Sequence, residues 1–115
     1  MSELIKNVEH RIPFDVADLV VFEEGKVNSI TLSQTPGCKM TLFSFDAGEG
    51  ISTHAAPGDA LAYVLEGAAE ITIDGEANRV EAGSAIVMPA GVPHAVKAPE
   101  RFKMLLVVVK EVSEA

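Results

Sequence analysis

The chain has 115 residues, 48% of them hydrophobic and 23% charged, which places it with ordinary globular domains and not with disordered segments. Its formal charge of −8 argues against a nucleic-acid or anionic-membrane surface, since either needs clustered Lys and Arg. A single cysteine, Cys38, excludes an internal disulfide and a cysteine-rich zinc site.

Residues 1–115 are expected to form one domain, large enough to bury a core unaided. The opening MSELIKNVEHR carries charges where a secretion signal needs an apolar core. No apolar run approaches the roughly 20 residues of a membrane span. A cytoplasmic protein is the expectation. Residues 18–22 (DLVVF) predict a short strand, closed by the turn at 23–26. Residues 27–34 alternate loosely, and Thr35-Pro36-Gly37 is a turn signal. Residues 38–46 (CKMTLFSFD) predict a strand with Phe43 and Phe45 on one face and Met40 and Leu42 on the other. A turn is expected at 47–50.

Residues 60–65 and 69–73 predict two further strands, the second running into Asp74-Gly75, a hairpin signal. Residues 78–80 begin the return, and 84–88 predict the next strand. The stretch Pro89-Ala90-Gly91-Val92-Pro93 reads as a stiff loop that delivers His94. Residues 102–110 (FKMLLVVVK) form a near-continuous apolar strand, and 111–115 a tail. No stretch shows capped helical periodicity. Many short strands separated by turns mean a sandwich or barrel.

Two stretches share a pattern. In the first, Gly48, His54 and Gly67 stand at fixed spacing; in the second, Gly83, Pro89, Gly91 and His94 do. Residues 48–67 and 83–98 resemble the two motifs of the cupin family, small jelly-roll barrels (double-stranded β-helices) that usually hold one metal ion. The first family motif is Gly, five residues, His-x-His, three or four residues, Glu, six residues, Gly. Here Ala56 stands for the second His and Ala60 for the Glu. In the second motif Ala98 stands for a closing Asn. The resemblance implies an all-β cupin barrel in which two of the usual four ligands are alanine.

A ligand set of this kind works because residues two apart on a strand face the same way. Neutral imidazoles with a carboxylate suit Fe, Mn, Ni, Cu or Zn. Only His54 and His94 remain here as candidate metal ligands or catalytic groups. Asp59 precedes position 60 and on a regular strand faces away; a register shift at Pro57-Gly58 would bring it in. The sulfurs of Cys38, Met40, Met88 and Met104 suit a soft metal, but methionine more simply fills a core. A lone histidine among apolar residues is more often a hydrogen-bonded core residue than a ligand. The alanines at 56 and 60 open volume and make the barrel mouth less polar, which favours an apolar ligand portion.

Two functions follow. The first is binding of a small organic molecule in the barrel, with His54 and His94 as polar anchors, Ala56 and Ala60 beside them, and metal absent or loosely held. The second is a metal-dependent enzyme of the dioxygenase or isomerase type with an unidentified third ligand. A sensor for a small effector is a lighter third reading; no helix-turn-helix pattern is present to act on DNA. The resemblance further implies a homodimer, for which residues 19–22 and 104–109 are the expected contact strands.

Overall fold

In a computed structural model that describes residues 3–112, the alternating stretches become nine strands. They are β1 (Val27–Thr35), β2 (Cys38–Phe45), β3 (Gly50–His54), β4 (Asp59–Glu66) and β5 (Ala68–Ile73). β6 (Glu76–Glu81), β7 (Ala85–Met88), β8 (His94–Lys97) and β9 (Phe102–Val109) complete the set. Five form one sheet in the order β1-β2-β9-β4-β7, and four form a second in the order β3-β8-β5-β6. All the strand pairs are antiparallel. The inner faces pack on each other as the two halves of a jelly roll.

The period of two decides which side chains enter. On β4, Ala60, Ala62 and Val64 are buried while Asp59, Leu61 and Tyr63 are exposed. On β9, Phe102, Met104, Leu106 and Val108 belong to the inner cluster. Phe45 and Phe102 face each other across the β2–β9 ladder and stack with ring centroids 4.5 Å apart. Both are fully buried. The β5–β6 hairpin closes through Asp74 (φ 50°) and Gly75 (φ 82°), both in the left-handed region that a two-residue turn of this hand requires.

The outer face of the larger sheet carries a second, smaller cluster around Val20, Leu32 and Leu42. Here the N-terminal segment is laid across the sheet. Residues 18–22 do not form the expected strand. A 3-10 helix, Val16–Leu19, takes part of that stretch, its first turn held by the Asp15 carboxylate accepting from the Ala17 amide. The Val21 carbonyl then accepts from the Asn28 amide and the Ser44 hydroxyl, so side chains replace a ladder. Among the described residues no strand precedes Val27, so the strand expected at 19–22 is not formed within this chain. The other expected contact strand, β9, lies between β2 and β4 and presents only its outer face.

The turn expected at 47–50 is shorter than that. Gly48 (φ 89°) turns the chain, but Gly50 already pairs with Lys97 in the β3–β8 ladder. A Cβ at Gly50 would sit 2.3 Å from the Val96 carbonyl oxygen, so this glycine serves close approach of two strands. The expected tail runs past the described residues at 113–115.

Candidate functional site

β3 and β8 are neighbours in the smaller sheet, and their register makes His54 and His94 direct cross-strand partners. The two rings meet edge to face with centroids 4.4 Å apart and planes 68° apart. The pair is asymmetric in depth: His94 is 5% exposed, whereas His54 is exposed at the rim. The stiff loop before His94 is itself pinned, because the Asp59 carboxylate accepts from the Ala90 amide at 2.8 Å.

Each ring is oriented in the same way. His54 Nδ1 lies 3.0 Å from the Ser52 carbonyl, and His94 Nδ1 lies 3.0 Å from the Val92 carbonyl. A carbonyl oxygen only accepts, so Nδ1–H donates in both rings and each neutral imidazole keeps a bare Nε2. Among the described residues no buried side-chain nitrogen or oxygen is without a partner. The Nε2 of His94, which bonds to none of the described residues, therefore opens onto free space.

That space is a cavity of about 210 Å³ inside the barrel. His54 and Ile51 come from β3, His94 and Val96 from β8, Ala60 from β4 and Met88 from β7. Phe43 of β2 and Met104, Leu106 and Val108 of β9 form the opposite wall, and Ala56 completes it. Thus all four positions that the sequence pattern singles out, 54, 56, 60 and 94, converge on one volume. Among the described residues, the two histidines are its only polar lining side chains, and no lining residue is charged. Larger hollows exist on the surface, such as one beside Glu49, Glu70 and Lys97, but they do not include the histidines.

Asp59 does not join them. It lies on the outward face of β4, one residue from the inward Ala60, and its carboxylate is engaged with the Ala90 amide. The register shift that would have turned it inward does not occur, since Asp59 and Ala60 pair in sequence with Val109 and Val108. Cys38 and Met40 also lie off the cavity, Met40 in the outer cluster. The carboxylates and the guanidinium with displaced pKa values are likewise elsewhere. Asp46 and Glu23 are lowered and Arg79 is raised, each by hydrogen-bonding partners outside the cavity.

The donor set can be compared with what a resident divalent metal needs. The oriented rings, with Nδ1 held by a carbonyl and Nε2 free, are how histidine presents itself to a metal. The remainder of the set is missing. No group of three or more His, Cys, Asp or Glu that could hold an ion exists among the described residues. Two neutral nitrogens without a carboxylate leave a divalent charge uncompensated in an apolar wall, so the residues present do not fit a resident divalent ion.

Some of the lining was not evident from the motifs. Phe43, Met88, Met104 and Val108 were legible only as members of expected strands, not as cavity residues. The two orienting carbonyls, of Ser52 and Val92, left no signal, because any residue supplies one.

Residues 41–110 match the family described as the cupin domain, and the chain belongs to that family. The fold is shared with a conserved protein of unknown function from Streptococcus pyogenes at 47% identity, covering 97% of this chain and 98% of that one, with a TM-score of 0.94. It is also similar to a cupin superfamily protein from Desulfitobacterium hafniense at 33% identity, over 93% and 98% of the two chains, with a TM-score of 0.89. Likeness to a salicylate 1,2-dioxygenase from Pseudaminobacter salicylatoxidans, at 22% identity over 72% of this chain and 26% of that one (TM-score 0.67), concerns the fold alone. A search of curated proteins returned no match.

Proposed function

We propose that this cupin binds a small, largely apolar organic molecule inside the barrel, anchored by His54 and His94, without a tightly held metal. The observation that carries the reading is the composition of the cavity wall: nine apolar residues and two oriented imidazoles. Such a volume, apolar with a few convergent polar groups, is the usual form of a small-molecule site. Alanine at 56 and 60 contributes space where longer polar side chains would fill it.

The test is elemental analysis of untagged protein grown in metal-supplemented medium, beside the His54→Ala/His94→Ala double variant. The expected outcome is metal far below one equivalent in both. One equivalent in the native protein, lost in the variant, would overturn the reading in favour of a metal-dependent enzyme of the dioxygenase or isomerase type. That second reading draws on one observation, the presentation of both Nε2 atoms, and requires further donors such as water or a bidentate substrate.

A further inference from the structure

The hydrogen bonds that orient the two rings also fix the polarity of the site. With Nδ1–H given to the backbone on both β3 and β8, the cavity presents acceptors and no side-chain donor. While both imidazoles are neutral, a ligand that only accepts, such as a carboxylate or a ketone, finds no side-chain partner there. Under that condition an anion would in addition enter an apolar wall without a counter-charge, in a chain that already carries −8. A hydroxyl supplies the missing proton.

Size narrows the class further. An apolar cavity of about 150 Å³ is known to admit benzene, and the volume here is about 210 Å³. One six-membered ring with one or two small substituents fits this volume. Phe43 and the branched side chains of Leu106 and Val108 stand across from the histidines to pack against a ring.

We infer that the barrel selects a neutral monocyclic phenol or a comparably sized apolar alcohol, whose hydroxyl donates to the Nε2 of His94 or His54. This inference rests on the proposed small-molecule reading and adds the chemical class. Because His94 is buried and His54 lies at the rim, the hydroxyl of a deeply seated ring meets His94 first. His54 is left to a second hydroxyl or to water at the mouth. The site thus discriminates by what the ligand donates.

The experiment compares phenol, anisole, toluene and benzoate, at mildly alkaline pH, by titration followed with amide and imidazole NMR shifts. Anisole keeps the ring and oxygen of phenol but lacks the proton. Phenol is expected to bind about tenfold more tightly than anisole or toluene, the worth of one hydrogen bond in a dry site, and benzoate not to bind. In the His54→Ala/His94→Ala double variant the preference for phenol should fall to about unity, with toluene binding retained. His54→Ala alone, at an exposed position with little risk to the fold, should keep most of the preference, because His94 is the deeper acceptor. Ala60→Phe should fill the cavity and abolish binding of all the ring compounds. Equal binding of phenol, anisole and toluene, all lost in Ala60→Phe, would overturn the hydroxyl selection while leaving the pocket reading in place. Tighter binding of benzoate than of phenol would overturn the selection as well. Binding of none of the four would overturn the pocket reading together with the inference.

Discussion

The two apolar clusters on either side of the larger sheet are held together by different means. The inner cluster joins twelve buried residues from both sheets, and the two histidines line the cavity beside it. The outer cluster has three buried residues, Val20, Leu32 and Leu42, with a half-buried fringe. What it lacks in buried area it makes up in directed bonds. Lys103 Nζ donates to the Ala17 carbonyl at 2.7 Å, Ser44 Oγ to Val21 at 2.6 Å, and Ser33 Oγ to Leu4 at 2.6 Å. The barrel depends on volume and the N-terminal layer on polar contacts. The two should therefore respond to different substitutions, and the layer should open at lower free energy than the barrel.

The largest effect is expected at the aromatic stack. Phe102→Ala removes a fully buried ring from contact with Phe45 and leaves a hole that neighbouring strands cannot close. The expected loss is about 3–5 kcal/mol of global stability, read from a denaturant midpoint. A loss under about 1 kcal/mol would mean that the stack is not central to the core.

Lys103 breaks the other side of the comparison. Its side chain is 9% exposed, its ammonium lies 5.0 Å from the Phe22 ring centroid, and its nearest carboxylate, Glu66, is 3.8 Å away. Lys103→Met keeps the stem and removes the donor, so the Ala17 carbonyl loses its partner. The expected cost is about 1–3 kcal/mol, felt first as faster amide exchange over residues 15–22, with protection of β4 and β9 retained. Equal loss of protection in both regions would show that layer and barrel open as one unit.

The sequence made the two regions unequally readable, for the same physical reason. Strand alternation located β2, β4 and β9 and divided β2 into the face of Phe43 and Phe45 and the face of Met40 and Leu42, without showing which face of each strand turns inward. The Gly, His and Pro spacing located the barrel family and both histidines. Alternation has no term for a segment held by side-chain bonds to its carbonyls, so 18–22 read as a strand when it is part helix and part extended chain. The ladder residue Gly50 was hidden in a turn because its role is the absence of a Cβ. Of the site, the four positions at 54, 56, 60 and 94 were legible. The opposite wall and the orienting carbonyls were not, because they come from tertiary pairing and from the backbone.

The smallest expected effect concerns the point where the two regions are tied, the turn that precedes β1. The Asp46 carboxylate accepts from the Gly25 amide at 2.7 Å and from Arg101 Nε at 2.9 Å. The Gly25 bond first, and Arg101 second, hold its pKa below the ordinary carboxylate value. A pKa depressed by folding contributes stability at pH above the unfolded value, roughly 4, and that contribution is lost as pH falls through the lower folded value. Asp46→Asn removes the charge but keeps the size. Urea midpoints should therefore separate the variant from the native protein at neutral pH, and the gap should narrow as pH drops below about 4. A gap that persists unchanged in acid would assign the loss to altered hydrogen-bond geometry at Gly25 and not to ionisation. Arg101 also lies over the Phe22 ring, 5.3 Å from its centroid, so the same variant should loosen the N-terminal layer slightly. The barrel, held by volume, should keep its exchange protection throughout.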